Sequence, residues 1–244
     1  MNQTNIIRAF DAAARTYDSA ASVQEKIAKE LVNWSLGSAA NPKSILDLGC
    51  GTGFVAHQII QQWPEAVITA VDASPAMLDE VRRKAPKLIT HMSDIGELNL
   101  SERFDAIYSS MALHWLPDPL RQIKRWRHWL NPKGKIFAAL PVEESFVEWK
   151  NLCLKHDVGH GLWSLPKSSF AAQVAKRDYR LKLTQRYASP LDFIKSLQAT
   201  GASTPRQGHV PTSAAKMRKL LRYENRSFDL TYQILFLEIS ESDP

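Results

Sequence analysis

The stretch Asp47-Leu48-Gly49-Cys50-Gly51-Thr52-Gly53 constrains this chain more than any other. It closes a short apolar run that begins at Ser44, and a helical pattern follows it to about Trp63, where Pro64 stops it. A strand, a turn of alternate glycines and a helix make the first half of a βαβ unit. Glycines let a backbone turn tightly and approach a ligand without a Cβ clash. The helix N-terminus behind them favours negative groups. A second apolar run, Val67 to Val71, ends at Asp72, 25 residues after Asp47. An acid at the end of the second strand can hold the ribose hydroxyls of a nucleotide cofactor. The spacing is not that of a dinucleotide fingerprint, because the third glycine of GxGxxG would fall at position 54, which is Phe54. An acid at Asp47, ahead of the glycines, suits a ligand that carries a cationic amino-acid group rather than a bare phosphate.

The rest of the chain extends that unit. Ile6, Ile7, Phe10, Ala13, Ala14 and Tyr17 recur at helical spacing. A second helix runs from about Ser22, with Val23, Ile27, Leu31 and Trp34 on one face, and Asn41-Pro42 breaks it. Ser74-Pro75 reads as an N-cap with proline at the first helical position. Leu88 to Met92, Phe104 to Tyr108 and Ile136 to Leu140 are further strands, and Leu120 to Leu130 is a helix stopped by Asn131-Pro132. Strands alternating with amphipathic helices predict an α/β fold, a doubly wound, mostly parallel seven-stranded sheet covered on both faces. Residues 1–244 are read as one domain, with N-terminal helices over 1–40 and a helical, basic cap insertion over about 142–182. A sixth strand is expected at Leu183 to Tyr187, a helix at Leu191 to Thr200, a loop from Ser203 to Pro211, a basic helix at Lys216 to Tyr223 and a last strand at Leu230 to Ile239.

Composition removes other classes. With 244 residues, 44% of them hydrophobic and 23% charged, the chain can bury a core without metals or disulfides. No apolar stretch reaches membrane-span length and no secretory h-region opens the chain, so a cytoplasmic protein with no membrane partner is expected. Cys50 lies in the glycine turn and Cys153 far from it, with no CxxC pair, so free thiols and no metal site are expected. The net charge of +6 allows an acidic partner without identifying one.

Strand, DxGxGxG turn, helix, second strand and Asp72 together closely resemble class I S-adenosylmethionine-dependent methyltransferases. That resemblance implies S-adenosylmethionine as cofactor. It places Gly49, Gly51 and Gly53 near the methionine part, Asp47 toward its ammonium and Asp72, followed by Ala73, on the ribose. Ser93-Asp94-Ile95 matches the adenine loop, with Asp94 on the exocyclic amine; as residues alone, Asp94 reads equally as a helix N-cap. Met77 packs either on adenine or in the core. Ser109, where the fourth strand ends on the side of the sheet where chemistry gathers, is a further candidate for cofactor binding. The segment Ser109 to Trp115 lacks the [DNS]PP[YFW] signature of nucleic-acid amino-methyltransferases, so no nucleic-acid partner is expected.

The N-terminal segment Phe10 to Gln24 resembles the FxxAAxxYDxxAxxQ pattern of malonyl-acyl-carrier-protein O-methyltransferases of biotin synthesis. Ser109 to Trp115, Asp118-Pro119-Leu120, Leu162 to Pro166, Leu191 to Ala202 and Leu230-Thr231-Tyr232 also match, whereas Asn131-Pro132-Lys133-Gly134 and residues 203–229 depart. The resemblance implies transfer of a methyl group to the free carboxyl of a malonyl thioester, with acyl carrier protein as partner. Trans-aconitate methyltransferases share the Tyr-Asp pattern, and an arginine-hydroxylating relative exists. Another small acid or metabolite as acceptor, or a non-methylating cofactor-binding assembly factor, therefore stay open. A carboxyl group is ionised at neutral pH and needs alignment rather than a base. Tyr17 is the candidate to close over the cofactor and hydrogen-bond the acceptor, or else it packs in its helix; Gln24 is a weaker candidate. His114 is either a general base or a packed histidine. Three basic groups are either solvated faces or a rim for an acidic carrier: Arg121, Lys124, Arg125, Arg127, Lys133 and Lys135; then Lys176, Arg177, Arg180, Lys182 and Arg186; then Lys216, Arg218, Lys219 and Arg222. An arginine of the second group could pair with the malonyl carboxylate. Oligomeric state is not readable from the sequence.

Overall fold

In a computed structural model, which describes residues 3–39, 41–205, 213–223 and 226–241, the glycine turn sits at the middle of a seven-stranded sheet. The chain runs α1 (Gln3–Ala20), α2 (Ser22–Ser35), β1 (Ser44–Leu48), α3 (Phe54–Gln62), β2 (Val67–Asp72), α4 (Pro75–Lys84), β3 (Ile89–Met92) and β4 (Phe104–Ser110). It continues with α5 (Pro119–Arg127), β5 (Leu130–Pro141), α6 (Val147–Lys155), β6 (Arg177–Tyr187), α7 (Pro190–Ala199), α8 (Ala214–Tyr223) and β7 (Phe228–Ser240). Strand order is β3-β2-β1-β4-β5-β7-β6. The first five strands pair in parallel, and β7 runs antiparallel to both its neighbours. The direction of winding reverses between β1 and β4, which opens a crevice at their carboxyl ends.

Two apolar layers hold the sheet. On one face Val23, Ile27 and Leu31 of α2 and Val55 and Ile59 of α3 pack with Tyr108, Phe137 and Phe236. On the other, Ile123 and Trp126 of α5 pack with Leu46, Ile107 and Leu237. Full burial of one such side chain contributes about 1.5–3 kcal/mol, so the helical stripes seen in the sequence suffice to fix α2, α3 and α5 to the sheet. Three helices open alike. Ser74, Asp118 and Ser189 accept from the backbone N–H three residues on, and Pro75, Pro119 and Pro190 follow them. Side-chain caps satisfy an orphan helix donor, and proline fits the first helical position because its missing N–H would be unpaired there.

Three elements differ from their sequence pattern. The helix expected to Leu130 ends at Arg127, and Asn131-Pro132 lies inside β5. The pairing of β5 with β4 shifts register there, so the proline occupies an irregularity rather than a regular ladder position. Gly134 is required at that bend, since a Cβ would lie 2.8 Å from the Asn131 carbonyl oxygen and 2.9 Å from that of Phe104. The expected helical stretch from Phe146 to Lys182 contains one α-helix, α6, then irregular backbone with a short 3₁₀ segment, Ser168–Gln173. Strand β6 starts at Arg177, not Leu183. Tyr179, Leu181, Leu183 and Tyr187 face inward at period two, between exposed Arg180, Lys182 and Arg186. The basic residues masked the alternation. The expected loop reaches Pro205, and its residues 206–211 lie outside the described residues. Both cysteines are free and buried. Among the described residues no helix is long and apolar enough to cross a membrane.

Candidate functional site

The glycine turn is pinned to β2. The N–H groups of Gly49 and Cys50 both donate to the Val71 carbonyl, at 2.9 and 3.0 Å. Gly49 has φ of 70°, and a Cβ there would lie 2.4 Å from the Cβ of Ala112, so no other residue fits. Gly51 donates its N–H to Asp72 Oδ2 at 2.8 Å, while Asp72 Oδ1 accepts from Ser74 N–H at 2.9 Å. Asp72 is thus held rigidly at the mouth of β2. Burial raises its pKa, and its bonds to the backbone oppose the rise.

Around this turn lies a cavity lined by Gly49, Gly51, Asp72, Ala73, Met77 and Asp94, with Ile95 and Ser110 on its wall. Seven of the ten residues assigned to the cofactor from sequence therefore share one cavity. Three do not line it. Gly53, with φ of 94°, flanks the start of α3. Ser109 is fully buried and donates its hydroxyl to the Leu48 carbonyl at 3.0 Å, tying β4 to β1; its neighbour Ser110 faces the cavity instead. Alternation along a strand puts adjacent side chains on opposite faces. Asp47 lies behind the wall, fully buried; neither oxygen makes a well-formed hydrogen bond among the described residues, and only the Ala56 backbone N–H is near enough to oppose the rise in its pKa. Burial, and then the charge of Asp72, push its pKa up to about 7. A buried carboxylate without partners is costly, and a cation bound in front of the turn would stabilise it. Asp94 does not cap a helix; its Oδ1 accepts from Gly96 N–H at 2.8 Å and closes a turn at the cavity rim. Met77 is fully buried and also lines the cavity, so packing and ligand contact coexist.

Helix α1 roofs this cavity with Ile6, Ile7, Phe10 and Tyr17. Two carboxylates fasten it. Asp11 Oδ1 accepts from Ser74 Oγ at 2.7 Å and from Ala76 N–H at 3.0 Å. Asp18 Oδ1 accepts from Thr52 Oγ1 at 2.6 Å, and Asp18 Oδ2 pairs with Lys84. Sequence reading missed both. Their spacing of seven residues puts them on one helix face, which was the available signal.

A second, wider cavity of about 590 Å³ opens beyond the first, within the range of small-molecule sites. Trp149, Trp163, Tyr187 and Tyr232 build much of its wall. Trp163 Nε1 donates to the Thr204 carbonyl at 2.8 Å and so ties the segment after α6 to the one after α7. Five residues line both cavities: Phe10, Tyr17, Gln24, Met111 and Trp115. They form a throat. Met111 has φ of 56°, a left-handed conformation uncommon for a side chain of its size, which it adopts as it turns out of β4. Trp115 stacks edge-on against Phe10 on one side and Trp163 on the other, with centroids 5.5 and 5.6 Å apart.

Tyr17 lies at the throat, its hydroxyl making no hydrogen bond to the described residues, its pKa raised by burial and by the charges of Asp72 and Asp18. A phenol so placed stays protonated and donates. His114 lines the wider cavity, buried, with Nδ1 lacking a partner among the described residues. Burial lowers its pKa to about 3, so the ring is neutral and accepts a proton poorly at pH 7. None of the three basic groups lines either cavity. Arg125 is spent on the carbonyls of Gly96 and Leu98, Arg177 and Lys135 pair with Glu238, and Lys216 pairs with Asp157. Chemically, the arrangement offers a narrow crevice with the Asp72 carboxylate on its wall, joined through an uncharged throat to an aromatic chamber.

Residues 45–134 match the family described as a methyltransferase domain. The chain is 30% identical over 89% of its length to a malonyl-acyl-carrier-protein O-methyltransferase of Halorhodospira halophila, covering 77% of that protein. It is 28% identical over 99% of its length to the Bacillus anthracis protein of the same description, covering 98% of it. Among solved structures, a putative methyltransferase from Bacillus halodurans superposes with a TM-score of 0.62 at 14% identity, over 87% of this chain and 99% of that one. The YcgJ protein of Bacillus subtilis gives the same TM-score of 0.62 and identity of 14%, over 88% of this chain and 99% of that one.

Proposed function

The chain belongs to the class I S-adenosylmethionine-dependent methyltransferases, and on that premise we propose that it esterifies the free carboxyl of a malonyl thioester carried on acyl carrier protein. The observation that carries this reading is the throat. Tyr17 and Gln24 of the N-terminal segment stand between a cofactor crevice and a chamber wide enough for an acyl group and its thioester arm. The proteins described as malonyl-acyl-carrier-protein O-methyltransferases are similar along nearly the whole chain, through the cap and throat segments as well as the common sheet.

The residues present fit the cofactor. Asp72 offers its carboxylate at the position for the ribose, Asp94 and Ile95 border the adenine side, and Met77 supplies an apolar face. The glycine cradle leaves no room for a Cβ at Gly49, and the orphaned Asp47 supplies negative potential for an ammonium group. S-adenosylmethionine held there would supply a methyl group on a positively charged sulfur to an acceptor oxygen that is already ionised, with no proton to remove. Tyr17 donates a hydrogen bond to the acceptor and holds one oxygen in line. Phe10, Met111 and Trp115 exclude water, which would compete for the carboxylate. His114 stays neutral and serves as a wall. Holding two reactants in line is itself worth about 7–11 kcal/mol of barrier in favourable cases, so no base is needed for an acceptor already ionised.

The experiment is complementation. Expressed in a bacterium whose biotin pathway lacks its malonyl methyltransferase, the chain restores growth without biotin, and the Asp72→Ala variant does not. Failure of the wild-type chain to restore growth, when it is expressed and binds S-adenosylhomocysteine, moves the acceptor to another small acid such as trans-aconitate.

A further inference from the structure

We infer that the acceptor carboxylate is gripped at the throat by neutral donors, Tyr17 and Gln24, and that this uncharged grip favours a transfer that cancels the acceptor's charge. The inference rests on the reading of this chain as a carboxyl methyltransferase.

Five side chains are common to the two cavities, and all are uncharged: Phe10, Tyr17, Gln24, Met111 and Trp115. Two of them, the Tyr17 hydroxyl and the Gln24 amide, make no hydrogen bond to any described residue and are free to donate to a ligand. Trp115 holds its ring between Phe10 and Trp163, which leaves the throat walled by aromatic faces. Beyond the throat, the described residues that line the wider chamber include no lysine, arginine, aspartate or glutamate.

That polarity matches the charge change. Esterification cancels the negative charge of the acceptor against the positive charge of the sulfonium. Only contacts that are stronger in the transition state than in the ground state raise the rate. A guanidinium fixed on the carboxylate is strongest in the ground state and weakens as the charge disappears, so it would deepen binding and slow transfer. Neutral donors orient the oxygen while leaving its charge poorly solvated, which favours a transition state less polar than the reactants.

The test is Gln24→Arg, read by binding as well as by rate. Malonyl-pantetheine and its methyl ester are titrated calorimetrically into cofactor-free wild-type and variant protein, and kcat and KM are measured with malonyl carrier protein. The inference predicts that the variant binds the acid about 10-fold or more tightly while ester binding stays unchanged. It also predicts that KM falls and that kcat falls about 10-fold. Gln24→Leu weakens acid binding and spares ester binding. Retained binding of S-adenosylhomocysteine shows that both variants fold. Unchanged acid affinity in Gln24→Arg, or a kcat that rises, overturns the neutral grip. If the wild-type protein ignores malonyl thioesters yet methylates another monocarboxylate, and Gln24→Arg shows the same opposed changes in binding and kcat, the substrate reading fails and the grip stands.

Discussion

The hydroxyl of Thr52, in the middle of the glycine turn, donates to the Asp18 carboxylate of α1 at 2.6 Å. The roof of the crevice is thereby fastened to the backbone loop that forms its floor. Lys84 closes the arrangement, contacting Asp18 and donating to the Thr52 carbonyl at 3.1 Å. A second fastening lies one face-repeat earlier, where Asp11 caps α4 beside Asp72. The roof of the cavity is therefore fastened to its floor through two carboxylates of α1, Asp11 and Asp18.

Releasing the roof should loosen the cofactor. Asp18→Ala removes the Thr52 bond and the Lys84 pair, and each charge-assisted bond is worth about 1.5–3 kcal/mol when desolvated and less where solvent screens it. The expected result is a cofactor dissociation rate raised about 10-fold with faster hydrogen exchange along α1. Stopped-flow displacement and exchange mass spectrometry read the two effects; protection unchanged in α1 would remove the roof from the account.

Asp72 is the carboxylate proposed for the ribose side. Asp72→Ala loses any ligand contact and also the bonds to Gly51 and Ser74. Affinity for S-adenosylhomocysteine should fall about 100-fold by calorimetry. Unchanged affinity contradicts the assignment of this cavity.

The pH dependence of cofactor binding should follow Asp47, whose pKa stands near 7 in the free protein. Its charged form favours a cationic ligand, so affinity rises with pH until about pH 7 and then levels. In stability the sign is opposite. The folded pKa lies above the unfolded value, so between the two the folded state holds a proton that the unfolded state lacks, and stability falls as pH rises through that window. Asp47→Asn should bind cofactor more weakly with a flattened pH profile, and its free form should melt a few degrees higher at pH 8. Calorimetry and thermal unfolding at pH 6 and pH 8 check both halves.

His114 should be absent from the pH–rate profile. Burial lowers its pKa to about 3, so it does not titrate between pH 6 and 8. His114→Asn is expected to retain the shape of the profile and to change kcat by less than about 10-fold, well short of the loss typical of a missing general base. An acidic limb that vanishes in the variant would restore the base role.

The sheet and the crevice were legible because they rest on local chemistry. Alternate glycines, the acids at Asp47 and Asp72 and the Ser74-Pro75 cap each act within a few residues of themselves. Ser109 was misread because one position decides which face of β4 a side chain takes, and the run of apolar neighbours hides the phase. Strand β6 was misread because Arg180, Lys182 and Arg186 on its outer face resemble a basic helix until the partner strand β7 is known. The wider chamber had no local signal at all. Trp149, Trp163, Tyr187 and Tyr232 are spread over more than eighty positions, and only the antiparallel return of β7 brings them together.

The most direct measurement is methyl transfer from labelled S-adenosylmethionine, with malonyl carrier protein, malonyl-CoA and free trans-aconitate offered in parallel. The account predicts label on the malonyl thioester as a base-labile ester, with malonyl carrier protein the best acceptor and trans-aconitate unlabelled. Label on trans-aconitate alone, or on no acceptor while the cofactor binds tightly, would contradict it.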